Sequence, residues 1–250
     1  MQQHRLVDQQ FGQVAQAYLT SAVHAQGADL DALAALAQAT PHAKVLDLGC
    51  GGGHVSFAMA PHAAAVVAYD LSDDMLGVVA TEAARRGLTQ LHTQAGRAEA
   101  LPFDDAAFDI VATRFSAHHW YDVRAGLAEA RRVLKPGGKL VVVDIVAPEA
   151  PLLDTLLQTA EVLRDASHVR DYRVSEWQAM LAQAGFTPGT PRTWKLTMAF
   201  GGWLARMGTP PVRADAIRDL FDRAADEARQ YFAVADDHSF TIDAMMIEAA

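Results

Sequence analysis

Three features of the chain predict an α/β fold on a mostly parallel sheet. The run Val45-Leu46-Asp47-Leu48 passes straight into Gly49-Cys50-Gly51-Gly52-Gly53, an apolar strand feeding a turn so bare that a ligand can lie against backbone. About 20 residues past that turn, the apolar run Ala64-Ala65-Val66-Val67-Ala68-Tyr69 ends in Asp70, an acid placed where a ribose diol can be met. From 44 to 146, near-continuous apolar runs alternate with helical periodicities, as parallel strands covered on both faces require.

Phe11, Val14 and Tyr18, then Leu30, Leu33 and Leu36, recur at helical spacing, and Gly27-Ala28-Asp29 breaks the segment into two helices. Strands are expected at 44–48, 65–70, 90–95, 108–113 and 139–146, with helices at 53–60, 73–86 and 123–134. Lys135-Pro136-Gly137-Gly138 should end the last of these helices and supply a tight turn. Past Pro148 the pattern predicts a helix over 150–165, the polar run Arg164 to Asp171, and a helix over 175–184 ending at Gly185. A strand within 186–200, two helices over 201–230 around Thr209-Pro210-Pro211, and a last strand from Ser239 to Ile247 complete a count of seven strands. The surplus helices, from the N-terminus and after strands five and six, are expected to form a lid over the strands' carboxyl ends. The chain thus divides into a lid segment (1–40), a cofactor-binding core (41–148) and a region (149–250) that completes the sheet and adds lid insertions.

Composition excludes several classes of function. The 250 residues suffice for one substantial core, and 51% apolar with 20% charged residues is ordinary for a soluble globular protein. A formal charge of −9, with lysine only at positions 44, 135, 139 and 195, leaves no basic footprint for nucleic acid. The single cysteine, Cys50, rules out an intrachain disulfide and suits a reducing compartment. No apolar run approaches membrane-spanning length and none follows Met1 to Arg5 as a secretory signal would, so a cytoplasmic protein is expected. The ten histidines are scattered without metal-site spacing, and no metal is expected.

The glycine turn separates two cofactor classes. A dinucleotide binder reads G-x-G-x-x-G, whereas the frame set by Gly49 and Gly51 puts His54 where the third glycine belongs. Asp47 would repel a pyrophosphate but suits a cationic or amine-bearing ligand. S-adenosyl-L-methionine (SAM), with a sulfonium, an amino-acid tail and no phosphate, fits these residues better than NAD. An NAD-dependent oxidoreductase, and a SAM-binding protein without transferase activity, are the competing classes.

Several ordered motifs carry a resemblance: the Val45 to Gly53 turn, Asp70-Leu71-Ser72-Asp73-Asp74-Met75-Leu76, Ala98-Glu99-Ala100-Leu101-Pro102-Phe103, Phe108-Asp109-Ile110-Val111 and Arg132-Val133-Leu134-Lys135-Pro136-Gly137-Gly138. With these the chain resembles the UbiE-like group of class I SAM-dependent methyltransferases. Arg164 to Arg170, Ser175 to Met180 and Arg206 to Pro210 extend the likeness to bacterial YcgJ-type methyltransferases over nearly the whole chain. The resemblance implies a Rossmann-like sheet, SAM as cofactor, S-adenosyl-L-homocysteine (SAH) as its product, and methyl transfer to oxygen, nitrogen or carbon of a small acceptor by in-line displacement. It places Asp47, Gly49 and Gly51, with Cys50 between the glycines, at the methionine portion, Asp70 on the ribose hydroxyls, Leu71 and Met75 against ribose and adenine, and the Ala98 backbone at the adenine edge, with Glu99 or a backbone carbonyl left to take the adenine amino group. Arg97 stands where relatives commonly carry an aspartate, and arginine has no acceptor for the adenine amino group.

Arg114-Phe115-Ser116-Ala117-His118-His119-Trp120 follows the fourth strand, at the end where open α/β sheets place ligands. Arg114 is expected to contact the cofactor. His118 and His119 are the candidate catalytic groups, His118 the preferred one, since an imidazole titrating near neutrality can take a proton from the acceptor. Tyr18, His24, Arg164 and His168 are candidate acceptor contacts. For His24 loop ordering is the stronger reading, and for the Arg164 to Arg170 run an ion-pair latch competes with substrate binding. Trp177 reads as core, and Cys50 as a small residue that the turn needs rather than a nucleophile. The expected partner is a small-molecule acceptor, with neither nucleic acid nor membrane, and with a homodimer left open.

Overall fold

The computed structural model of the protein describes residues 2–12 and 26–250. Tyr18 and His24 lie outside the described residues. Helix α1 (Gln3–Gly12) and α2 (Ala28–Ala39) precede β1 (Lys44–Leu48), and α3 (His54–Met59) leads to β2 (Ala65–Asp70). Then come α4 (Asp73–Arg85), β3 (Leu91–Ala95), β4 (Phe108–Arg114), α5 (Val123–Val133) and β5 (Leu134–Ala147). The remainder runs α6 (Pro151–Arg164), β6 (Tyr172–Arg173), α7 (Val174–Gln183), β7 (Arg192–Met198), α8 (Phe200–Met207), α9 (Pro211–Asp222), α10 (Asp226–Tyr231) and β8 (Phe240–Ala249).

Seven strands follow one path, β3-β2-β1-β4-β5-β8-β7, and the two-residue β6 makes an eighth by pairing with β5. The five strands from β1 to β5 are mutually parallel, while β8 runs antiparallel to both β5 and β7. Strand periodicity sorts the core into two layers. Leu46, Val142 and Met245 pack on one face with Leu127, Val133 and Trp177; Val45, Val141, Val143 and Met246 pack on the other with Leu33, Phe57 and Val79. Trp177 is 1% exposed, as the reading of it as core requires. A third cluster, with Phe200, Trp203, Phe221, Phe232 and Phe240, joins the late helices to the far end of the sheet.

Local chemistry sets the element ends. Asp122 caps α5 by accepting from the Arg124 and Ala125 amides at 3.0 and 3.1 Å. Pro151 and Pro211 open α6 and α9, where a missing N–H costs nothing. Two expectations are corrected. The Lys135 to Gly138 turn does not precede β5 but lies within it, as a bulge where the register against β4 shifts between Phe108 and Ile110 and Gly137 takes φ 77°. The segment 201–230 carries three helices rather than two, the third starting at Asp226. Among the described residues no helix is long and apolar enough to cross a membrane.

Candidate active site

A cavity of about 560 Å³ opens at the carboxyl ends of β1, β2 and β4, where the switch in strand order leaves a crevice. Its floor is the glycine turn. Gly49 and Cys50 both donate their amides to the Tyr69 carbonyl, at 2.8 and 3.0 Å, which locks the turn to the end of β2. Gly51 has φ 48°, and a Cβ placed on it would meet nothing within 4 Å, so its bare face is turned to open space. Gly49 differs. Its φ is 74°, and a Cβ there would lie 1.9 Å from Ser116 Oγ, so its missing side chain admits the loop after β4 as well as lining the cavity.

Two acids flank this floor. Asp47 is 1% exposed; its Oδ2 accepts from the Ser56 amide at 2.9 Å and the Ser56 hydroxyl at 2.6 Å, while Oδ1 has no hydrogen-bond partner among the described residues. Burial pushes its pKa up to about 7 against the pull of the Ser56 bonds. A buried, unsatisfied carboxylate oxygen on a cavity wall is chemically completed by a cationic N–H donor, which is what an amino-acid ammonium supplies. Asp70 accepts from the Gly51 amide at 2.8 Å through Oδ2 and from the Ser72 amide at 3.0 Å through Oδ1. A carboxylate has roughly four lone-pair sites, so one per oxygen remains for hydroxyl donors. Burial also raises the Asp70 pKa above the usual carboxylate range. The residues present therefore fit a ligand with an ammonium at one end and a diol further along.

The other expected cofactor residues surround the same space. Leu71, Met75, Ala98 and Glu99 line it; Met75 is fully buried and Ala98 nearly so. Glu99 Oε1 already accepts from the Asp122 amide at 3.2 Å. Arg97 lines the cavity with an exposed side chain, while its carbonyl accepts from the Tyr69 hydroxyl at 3.2 Å. Arg114 also lines it, ion-paired through Nε to Asp29 of α2 and lying 4.6 Å from the centre of the Phe115 ring. Burial, then the charges of Asp70 and Asp47, hold the Cys50 thiol well above its ordinary pKa, which fits a residue chosen for size. Helix α1 roofs the cavity through Gln3, His4, Val7 and Phe11. It is tied down by Gln3 Nε2 to the Ser167 carbonyl at 2.6 Å and Gln10 Nε2 to the Met207 carbonyl at 2.7 Å.

The two histidines after β4 sit in different chemical settings. His119 lines the large cavity, under the edge of Phe11 at 4.8 Å between ring centres. Its Nδ1 lies 3.2 Å from the Ser167 carbonyl, which can only accept, so Nδ1 carries the proton and Nε2 is the basic nitrogen. Burial and the neighbouring charge of His118 lower its pKa, keeping it neutral. His118 does not line the large cavity. Its Nδ1 donates to Asp144 Oδ1 at 2.6 Å, and the Asp144 carboxylate, prevailing over burial, holds its pKa up to about 9. A ring that is already protonated and ion-paired cannot accept a proton, so the geometry moves the preference from His118 to His119.

Arg164 donates to Glu161 and to the Trp203 carbonyl, both at 3.1 Å, and lines a smaller cavity behind the histidines. His168 lines neither cavity; its Nε2 lies 3.1 Å from Gln158 Oε1 and its ring 5.7 Å from that of His118. Sequence reasoning missed Asp144, the roofing residues of α1 and the Asp29 partner of Arg114. Only Asp144 carried a signal, an acid inside the apolar run Val141-Val142-Val143-Asp144-Ile145-Val146.

Comparison with known proteins agrees with this architecture. The methyltransferase domain family matches residues 46–142. The chain is 48% identical over 201 residues to the uncharacterised protein YafE of Escherichia coli K12, covering 80% of this chain and 97% of the relative. It is 36% identical over 243 residues to the uncharacterised methyltransferase YcgJ of Bacillus subtilis, covering 95% and 96%. The crystal structure of YcgJ superposes with a TM-score of 0.85 at 35% identity, over 89% of this chain and 97% of that one.

Proposed function

The chain belongs to the class I SAM-dependent methyltransferases, and on that premise we propose that it moves a methyl group from SAM to a small-molecule acceptor held beneath α1. The observation that carries the reading is one cavity with an Asp47 oxygen beside its floor that has no hydrogen-bond partner among the described residues, a neutral His119 in its wall and a helix across its top. When bound, SAM supplies a methyl on a positively charged sulfur that departs as the neutral thioether SAH.

The protein's own residues bind, align and exclude water. Asp47 Oδ1 takes the ammonium, Asp70 the ribose hydroxyls, Leu71 and Met75 pack on ribose and adenine, and Ala98 and Glu99 meet the adenine edge. Gly51 lets the tail lie on backbone, and Arg114, held by Asp29, keeps a cation at the carboxylate end. Holding a nucleophile in line with the methyl is worth about 7 to 11 kcal/mol of barrier, and no covalent step on the protein is needed. His119 Nε2 accepts a hydrogen bond from an O–H or N–H acceptor and so turns its lone pair toward the methyl. As the new bond forms, the acceptor becomes strongly acidic, and even a weakly basic imidazole can then take its proton. Asp165 Oδ2, 3.9 Å from His119 Nε2, steadies the imidazolium that results.

Calorimetry with SAH and with NAD separates this reading from a dinucleotide enzyme: SAH is expected to bind and NAD not to. Transfer of radiolabelled methyl from SAM into a fractionated metabolite extract tests the acceptor class. Label appearing only in macromolecules, or nowhere, would overturn the small-molecule assignment.

A further inference from the structure

On the methyltransferase reading Asp47 takes the ammonium and Asp70 the ribose, so the base attached to that ribose extends past Asp70, toward the segment that follows β3. Backbone ties this segment to the ribose acid: the Gly96 amide donates to the Asp70 carbonyl at 2.9 Å. Residues 97–100 then close a tight clip, in which Arg97 and Ala100 form an isolated antiparallel bridge and the Ala100 amide donates to the Arg97 carbonyl at 3.1 Å. The Tyr69 hydroxyl donates to the same carbonyl at 3.2 Å, which pins the clip to β2. Just beyond it, the Leu101 amide is held by Glu129 Oε2 of α5 at 2.7 Å. Arg97, Ala98 and Glu99 therefore line the cavity from a backbone anchored at both ends.

The two charged residues of the clip offer opposite chemistry. Glu99 Oε1 accepts from the Asp122 amide at 3.2 Å, and the carboxylate keeps acceptor capacity on Oε2. Arg97 is exposed at the cavity wall, and its guanidinium makes neither a hydrogen bond nor an ion pair among the described residues. Adenine presents an amino group, which donates, with the ring nitrogens N1 and N7 on either side of it, which accept. An acceptor alone reads only the amino group. An acceptor beside a fork of guanidinium donors reads a donor and its neighbouring acceptor together.

We propose that Arg97 donates to an adenine ring nitrogen beside the amino group that Glu99 accepts from, so that the residues on either side of Ala98 read the base as a pair. The assignment rests on the methyltransferase reading and names a determinant of its cofactor specificity.

The test is a cycle between protein and ligand. SAH and its 1-deaza and 7-deaza analogues, each lacking one ring nitrogen, are titrated by calorimetry into the wild type, Arg97→Met and Arg97→Lys. Arg97→Met keeps the aliphatic stem and removes every donor. It should weaken SAH binding about 3- to 10-fold, a modest loss because the guanidinium is open to water, with Arg97→Lys recovering part of it. On the analogue that lacks the contacted nitrogen the same substitution should cost nothing, since the bond it removes is already gone. The analogue that behaves so assigns the bond to N1 or to N7. A loss on both deaza analogues equal to that on SAH marks a general effect of charge and overturns the proposal, as does undiminished SAH affinity in Arg97→Met. SAH that fails to bind the wild type overturns the cofactor reading itself, and the proposal with it.

Discussion

The floor of the large cavity takes Asp47, Gly51 and Asp70 from a single strand-turn-helix-strand unit, whereas the wall behind it gathers His118, Asp144, Asp171 and Arg206 from the loop after β4, from β5, from the loop before β6 and from α8. On the floor each acid acts nearly alone, anchored by amides of the same unit and left with unused acceptor capacity beside the cavity. Behind the wall the imidazole charges depend on their neighbours: His118 is protonated because Asp144 is beside it, and His119 is neutral partly because His118 is charged. Local backbone geometry can therefore be damaged one residue at a time, while a buried network fails as a unit.

The histidine pair gives the largest expected contrast. His119→Ala should lower turnover by about 100- to 10,000-fold with the fold intact, the usual loss on removing a positioned acid–base group. Because its pKa is held low, the wild-type rate should show no acidic limb near pH 6.5 from this ring. A pH–rate profile with such a limb, vanishing in His119→Ala, would contradict the neutral assignment. His118→Ala should instead cost about 3 to 5 kcal/mol of stability by stranding Asp144 as an unpaired buried charge. Denaturant unfolding reads this directly, and an unchanged midpoint would dissolve the distinction between wall and floor.

Asp47→Asn keeps the side chain's shape and should weaken SAH binding by about 1.5 to 3 kcal/mol, roughly 10- to 150-fold, measured by calorimetry. Equal affinity in a folded variant would remove Asp47 from the ammonium site. The two glycines sharpen the point. Gly51→Ala should remove ligand affinity with a stability loss of about 1 to 2 kcal/mol from its left-handed backbone, but Gly49→Ala should lose more, since it also displaces Ser116. Thermal melts of the two variants in parallel suffice, and a milder melt for Gly49→Ala is the contrary result.

A pH dependence with two windows separates the same two regions without any substitution. A pKa raised in the folded state stabilises fully below the unfolded value and ceases to do so as pH rises through the folded one. For Asp47 that window runs from about 4 to about 7, and for His118 from about 6.5 to about 9. SAH favours ionised Asp47, so it should flatten the decline in melting temperature between pH 5 and 7 and leave the decline toward pH 9 untouched. Ligand-free protein that grows more stable from pH 5 to 7 would refute the Asp47 part.

The same contrast explains what the sequence disclosed. Asp47, the glycine turn and Asp70 were legible because strand periodicity and glycine chemistry fix them locally, and Trp177 was legible as core through helical spacing with Met180 and Leu181. Strand count fell short by one because Tyr172–Arg173 is too short to carry a period. The bulge at Gly137 was read as a turn because both need positive φ, and only the partner strand tells them apart. His118 and His119 are identical neighbours in sequence, and what separates them, Asp144 against Ser167, comes from distant segments.

Helix α1 holds its place by hydrogen bonds to Ser167 and Met207, partners 164 and 197 residues away. Contacts of such sequence separation must await synthesis of everything between the partners, since a bond to Met207 has no acceptor until that residue has left the ribosome. The strands that hold the cofactor floor are finished far earlier. Helix α1 is thus made long before the segments that seat it, and a growing chain passes through a stage in which its cofactor floor is built but has no roof.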